Sequence, residues 1–367
     1  MLRAALISLG SKSSKWTSEA MRKYFNEVDE IDIRTIEVRI GVKEEGVIFS
    51  NETPLKKYDC VYAKGSYKYA QLLQTISIIL SKDAYMPYNP SALTLVHDKL
   101  LSQITFEKEG IPMPKTYVAA TLLSAKKTLD SMTFPVIIKI PVGTQGKGVM
   151  YAESYAAASS MLDTLEQLKQ PFLLQEYIDT GNTDLRLLVI GDKVVASMKR
   201  KGKLDEKRAN IHAGGIGESF TPDENTKNIA IRSAKAVGAE IAGIDILESV
   251  KGPKVIEANI SPGLQGITKA TGIDVADKIA KYLYEKTLIK KSLTDNNDKT
   301  KVFNELHIKN AADTEHHSEI ITKLDFRGER ILLPNLITKI TGFKEEDEFA
   351  VEASKESIKI RKLKKLN

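Results

Sequence analysis

Residues 243–259 read GIDILESVKGPKVIEAN, and Asp245, Glu257 and Asn259 interrupt two otherwise apolar runs in it. The runs at 243–247 and 254–258 have the aliphatic, β-branched character of paired strands. Side chains two apart on a strand share a face, so Glu257 and Asn259 point the same way, and a hairpin brings Asp245 alongside. Two carboxylates and an amide oxygen are hard donors suited to Mg²⁺, which keeps waters and nucleotide phosphates in its remaining positions. The plainer alternative is an exposed polar strand face.

Upstream, Gly143-Thr144-Gln145-Gly146-Lys147-Gly148 lies between apolar runs at 134–140 and 149–152. Glycines let backbone N–H groups approach a phosphate, and successive amides can form an anion-binding concavity; a plain hairpin turn is the other reading. The spacing is neither a Walker A loop nor GxGxxG. Lys139 sits in the strand just before this loop, either as a snorkelling side chain or as a phosphate ligand. Glu176 and Tyr177 end a strand-like run at 171–178, where backbone groups either meet a nucleobase edge or simply terminate the strand. Asp184 and Arg186 open a hairpin over 185–198. Arg200, Arg208 and Asn210 belong to a basic segment, a solvated loop or a second anion site. Thr221-Pro222-Asp223-Glu224 predicts a helix start with proline at its first position and a run to about Ala242. A closing helix is expected at 274–285.

The first 95 residues alternate strand-like runs (6–9, 60–63) with an apolar helix at 71–80, which predicts a small α/β domain with a parallel sheet. A helix is expected from about His97 to Gly110, stopped by Ile111-Pro112-Met113-Pro114. The 367 residues predict several structural units, and 42% hydrophobic with 28% charged residues is the make-up of a globular protein. No apolar run is long enough to span a membrane, and the apolar N-terminus reads as a buried strand rather than a signal. The single cysteine, Cys60, excludes an intramolecular disulfide or a cysteine-based zinc site and suits a reducing cytoplasm. A net charge of +6 permits an anionic ligand without implying nucleic acid. Residues 290–318 turn polar and predict a linker, and 319–363 recover strand patterning. The pair His316-His317 lacks a third ligand and reads as an exposed polar pair.

Taken in order, several stretches resemble the ATP-grasp superfamily, and within it the RimK-type glutamate ligases. They are His97-Asp98-Lys99-Leu100, VIIKIPVGTQGKG at 136–148, LQEYI at 174–178, Asp184-Leu185-Arg186, Arg208-Ala209-Asn210-Ile211-His212, AGIDIL at 242–247, EANISPG at 257–263 and Ala270-Thr271-Gly272-Ile273-Asp274. The resemblance covers residues 1–286 and is densest from 97 to 275. It implies an α/β (α+β) fold with an N-terminal domain at 1–95 and a two-lobed ATP-grasp domain at 96–289, whose lid spans about 115–180. By matching motif, Lys99 and Lys139 contact ATP phosphates, and the loop with Gly143, Thr144 and Gly146 closes over them. Glu176, Tyr177 and Ile178 hold the adenine edge and Asp184 the ribose. Arg208, Ala209 and Asn210 meet the phosphate end and the acyl phosphate, and Arg200 faces the reacting carboxylate. Asp245, Glu257 and Asn259 hold Mg²⁺ or Mn²⁺.

The implied activity joins an amine, glutamate in the first instance, to a carboxylate-bearing protein or coenzyme through an acyl phosphate. Two departures weaken the glutamate assignment: Ala213 replaces a basic residue, and Lys64 replaces an arginine. Two other readings stay open, a carrier-protein-linked ligase of lysine or arginine biosynthesis and a nucleotide-sensing DNA-binding regulator. Residues 319–367 resemble one half of an AbrB-type swapped hairpin, which implies a homodimer and favours dimerisation or partner docking over DNA reading.

Overall fold

The structure is a computed structural model that describes residues 1–41, 47–141, 148–202, 216–305, 325–327, 330–332, 343, 347–353 and 358–362. The chain divides into two compact units, Met1–Val302 and Phe303–Asn367.

The first unit opens with β1 (Arg3–Ser8), α1 (Lys12–Met21), β2 (Glu27–Asp32), β3 (Ile36–Arg39), β4 (Val47–Ser50), β5 (Thr53–Pro54) and β6 (Cys60–Ala63). Strands β2, β1 and β6 form the expected parallel sheet, with β1 at its centre and buried from Ala4 to Ser8. The apolar N-terminus is therefore a core strand, as its pattern predicts. Helix α1 starts at Ser11, whose hydroxyl accepts the Ser14 N–H at 3.2 Å and caps one of the unsatisfied first-turn donors. Helices α2 (Ala70–Leu80), α3 (Ala92–Leu95) and α4 (Lys99–Lys108) follow. The Asp98 carboxylate caps α4 by accepting from Leu100 N–H and Leu101 N–H at 2.9 and 3.0 Å, which aims Lys99 out of the helix start.

Next come β7 (Thr116–Tyr117), α5 (Leu122–Asp130), β8 (Val136–Lys139), β9 (Val149–Ala152), α6 (Tyr155–Gln167) and β10 (Leu173–Glu176). The four strands make an antiparallel sheet, called the lid sheet below, in the order β7-β10-β8-β9. It has a core of its own, including Leu129, Val136, Ile138, Ala158, Leu162 and Leu174.

The rest of the first unit is β11 (Thr183–Ile190), β12 (Lys193–Lys201), β13 (Ile216–Ser219), α7 (Glu224–Ala236), β14 (Ile241–Ser249), β15 (Gly252–Asn259), α8 (Gln265–Thr271) and α9 (Val275–Glu305). The strands form a five-stranded antiparallel sheet, β13-β12-β11-β14-β15. The β11–β12 turn passes through Gly191 at φ +59°, where a Cβ would lie 2.8 Å from the Tyr282 ring, so glycine is needed on both counts. This sheet and the first one share a continuous apolar core. Asn89 N–H to Gly238 O and Glu240 N–H to Pro87 O, both 2.8 Å, stitch the two together.

Two elements differ from expectation. Asp223, not Thr221, caps α7 by accepting the Thr226 N–H at 2.7 Å, and the helix ends at Ala236 because Gly238 turns at φ +73° into β14. Helix α9 continues to Glu305, so residues 290–305 are helical where a linker was expected. The polar composition there misled: residues 275–305 contain no glycine or proline, and Lys, Leu and Ala favour helix whatever their polarity. In the second unit, β16 (Asp325–Arg327) pairs with β17 (Arg330–Leu332), and β18 (Phe349–Ala353) with β19 (Ile358–Lys362). Among the described residues no helix is long and apolar enough to cross a membrane.

Candidate active site

Strand register brings the polar residues of three distant motifs into one row. Asp184 and Arg186 are two apart on β11 and share a face. Across the sheet Asp184 pairs with Arg200 on β12, Arg186 with Asp245 on β14, and Asp245 with Glu257 on β15. Arg186 Nε and Nη2 donate to Asp245 Oδ1 and Oδ2 at 2.8 and 2.7 Å, a two-pronged pair. Arg200 Nε donates to Asp184 Oδ1 at 2.9 Å, its Nη2 reaches Asp184 Oδ2, and the same Nη2 lies 2.9 Å from Asp245 Oδ2. All four side chains are buried, so two cations and two anions neutralise each other out of water. Burial pushes the Asp245 carboxyl up, but Arg186 and Arg200 overcome it and hold it at about 2. Arg186, given no role in the sequence reading, is thus part of the site; its signals were an arginine in an apolar strand and its place in the Asp184-Leu185-Arg186 stretch.

Next to this quartet, Glu257 is half-buried and makes no hydrogen bond or ion pair among the described residues. Burial and the neighbouring Asp245 raise its pKa, while Arg186, Lys99 and Lys139 pull it down. Lys139 ends β8 and is drawn to about 8 by burial, with Glu257 supporting its charge and Lys99 opposing it. Lys99 is lowered by burial and supported by Glu257 and Asp98, and its Nζ lies 3.4 Å from Pro141 O. Two lysines from two different motifs therefore share the field of one free carboxylate. Asn259 Oδ1 accepts the Ser261 N–H at 2.8 Å and keeps its second lone pair.

These residues bear on a divalent cation unequally. Glu257, half-buried and unpaired among the described residues, and Asn259 Oδ1 are donors that suit one. Asp245 has both oxygens on guanidinium groups, Oδ2 twice and Oδ1 once, which leaves one lone pair on Oδ1 for a cation. Among the described residues no three His, Cys, Asp or Glu side chains form a ready-made metal cluster. Asp184 is likewise committed to Arg200, and a ribose contact from it would require that pair to rearrange.

At the lid edge, Glu176 Oε1 accepts the Lys115 N–H at 3.0 Å and lies 3.4 Å from Lys254 Nζ. The Tyr177 ring meets Tyr151 edge-on at 5.2 Å, and Ile178 follows, half-buried. Gly143, Thr144, Gly146, Arg208, Ala209 and Asn210 lie outside the described residues.

A cavity of about 420 Å³ opens on the row. Arg186, Arg200, Asp245, Glu257 and Asn259 line it, together with Lys64 after β6 and with Ser11, Ser13 and Ser14 at the start of α1. The serines were not among the expected site residues. A pair of short polar side chains after Gly10 at a strand end was the available signal.

The chain is similar to known proteins of one family. Residues 96–283 match the RimK-like ATP-grasp domain. A probable alpha-L-glutamate ligase of Mannheimia succiniciproducens is 38% identical over 234 residues, covering 63% of this chain and 78% of the relative. Another, from a Picosynechococcus species, is 34% identical over 292 residues, 77% of this chain and 95% of the relative. Among solved structures, a RimK domain ATP-grasp protein from Sphaerobacter thermophilus superimposes with a TM-score of 0.60 at 19% identity, covering 76% of this chain and 98% of that one. The ATP-grasp ligase PsnB, in complex with a minimal precursor, Mg and ADP, gives 0.62 at 18%, covering 78% and 97%. The chain belongs to the RimK-like ATP-grasp family and is an ADP-forming ligase of amide bonds.

Proposed function

We propose that this ligase adds L-glutamate to a carboxylate at a protein C-terminus or on a coenzyme, by way of an acyl phosphate. The observation that carries the reading is the gathering of Lys99, Lys139, Glu257 and Asn259 beside the Arg186–Asp245–Arg200–Asp184 quartet. Phosphoryl transfer needs positioning and charge neutralisation more than covalent help. Lys99 and Lys139 supply mobile cations for the phosphates, and Glu257 with Asn259 holds Mg²⁺, or Mn²⁺ in its place. When bound, that cation draws charge from the phosphate oxygens. The arginines, fixed in direction by their aspartates, face the acceptor carboxylate without adding net charge. Glu176, Tyr177 and Ile178 meet the adenine at the lid edge. An acyl phosphate hydrolyses readily, so the amine must meet it in a closed site, which the β7–β10 sheet would help to close. Glutamate is supported by the names of the relatives, which are probable alpha-L-glutamate ligases. A peptide acceptor is supported by PsnB, whose structure holds a precursor.

Residues 1–95 and 96–289 act in this reading as the N-terminal and ATP-grasp domains, and 319–367 as an AbrB-like module that joins two copies of the chain. ADP release from purified protein, with each amino acid in turn and a glutamate-ended peptide as acceptor, tests the assignment. Glutamate should stimulate most, and Glu257→Ala should remove the stimulation; equal turnover with all amino acids would reject glutamate.

A further inference from the structure

Lys64 Nζ is the one fully buried charged atom among the described residues that has no hydrogen-bond acceptor. The side chain is 5% exposed, and the contact made by its ammonium is with the Tyr62 ring, 5.4 Å to the centroid. Burying an unpaired ammonium is costly, and a fold that keeps one without a structural partner has a ligand to offer it to. Lys64 lines the 420 Å³ cavity together with Arg186, Arg200 and Asp245. The N-cap and first turn of the ten-residue helix α1 open on the same cavity through Ser11, Ser13 and Ser14. Ser11 caps the Ser14 N–H, whereas the N–H groups of Lys12 and Ser13, the first two of the helix, have no acceptor among the described residues. They carry the positive end of the helix dipole.

Both halves of this corner are pinned to the loop that follows Asn259. Gly65 N–H donates to Ser261 Oγ at 3.2 Å, and Leu264 N–H donates to Ser13 Oγ at 2.9 Å. The corner is thus held at a fixed place relative to Glu257 and Asn259, where the reacting groups meet. Its charge is also defined. The quartet sums to zero, Glu257 offsets one of Lys99 and Lys139, and Lys64 adds a further positive charge that no carboxylate of the cavity pairs with. One ammonium and a pair of N–H groups match the two acceptor oxygens of a carboxylate.

We propose that Lys64 and the first turn of α1 form a carboxylate-binding corner that selects a substrate by a carboxylate that does not react. This rests on the ligase reading above. The reacting carboxylate lies toward Arg200 and Glu257, so the corner engages a second one, on the incoming amino acid or on the last residue of the acceptor. The substrate on that side is therefore a dicarboxylate.

Steady-state kinetics on the full chain test this with L-glutamate against L-glutamine as the amine, and with peptides ending in glutamate against glutamine as acceptors. Wild type should prefer the acid over the amide by at least about tenfold in kcat/KM in one of the two arms, which identifies the source. Lys64→Met should raise KM for that substrate about 10- to 100-fold and erase the acid–amide preference, with the KM for ATP unchanged. Lys64→Arg should keep the preference, which a purely structural lysine would not dictate. Unchanged selectivity in Lys64→Met overturns the proposal. Equilibrium dialysis with labelled L-glutamate and labelled glutamyl-glutamate separates this from the ligase reading, because it needs no turnover. Binding by wild type that Lys64→Met loses supports the corner even where no amino acid elicits ADP. Binding of both probes equally by the two proteins, or of neither by wild type, overturns it.

Discussion

In the unfolded chain Lys64 titrates at its ordinary 10.5, whereas burial pulls it down to about 8 in the fold. Between those values the unfolded state holds the proton that the folded state has lost, so stability rises with pH across that window. Below pH 8 the full cost of the buried ammonium is present. Lys64→Met should therefore stabilise the protein at pH 7 by roughly 1–3 kcal/mol, with the gain fading toward pH 10.5. Urea midpoints at pH 7 and pH 10 measure this; a destabilised variant would show that the lysine serves the fold. Arg186 behaves in the opposite way. Both prongs of its guanidinium are spent on Asp245, and removal would leave that carboxylate buried with only Arg200. Arg186→Ala should cost about 3–5 kcal/mol, read in the same denaturation assay. Asp245, Glu257 and Asn259 were legible in sequence because polar residues broke apolar strands. That Asp245 would be claimed by two arginines was not legible. It depends on the register between β11, β12 and β14, a non-local fact that no local pattern carries.

At the scale of elements, strands and hairpins of the ATP-grasp region were legible because alternation, turn residues and apolar runs agreed with one another. Helix ends were less so. The capping box read at Thr221 started α7 too early, because Asp223 is the cap, and α9 ran on because polarity does not stop a helix that lacks glycine and proline. The lid sheet stands on its own apolar cluster, separate from the core shared by the other two sheets. Leu162 is fully buried within that cluster. Leu162→Ala should cost about 2–5 kcal/mol, and its effect should be local. Hydrogen exchange should accelerate at 116–176 while β1, β11 and β14 keep their protection, and uniform acceleration would contradict a separately cored lid.

For the whole molecule, the N-terminal sheet, lid and five-stranded sheet follow the resemblance seen in the sequence, and the family match confirms the ligase class. The described strands of the second unit form two antiparallel pairs, with Val351 and Ile358 exposed on the β18–β19 pair. Were residues 319–367 to complete a barrel only with a second copy, the intact chain would be a dimer in light scattering, and Val351→Lys with Ile358→Lys would be a monomer. A monomeric wild type would remove the AbrB-like reading. The central claim is that the site phosphorylates a carboxylate before an amine attacks it. In that sequence a carboxylate oxygen attacks the γ-phosphorus, ADP leaves, and the amine then displaces phosphate from the acyl carbon. One oxygen of the acceptor carboxylate therefore departs in the phosphate. The most direct test is turnover with an acceptor peptide whose C-terminal carboxylate carries ¹⁸O, with mass analysis of the released phosphate. The account predicts one labelled oxygen per phosphate in wild type and no product from Glu257→Ala; amide product with unlabelled phosphate would contradict it.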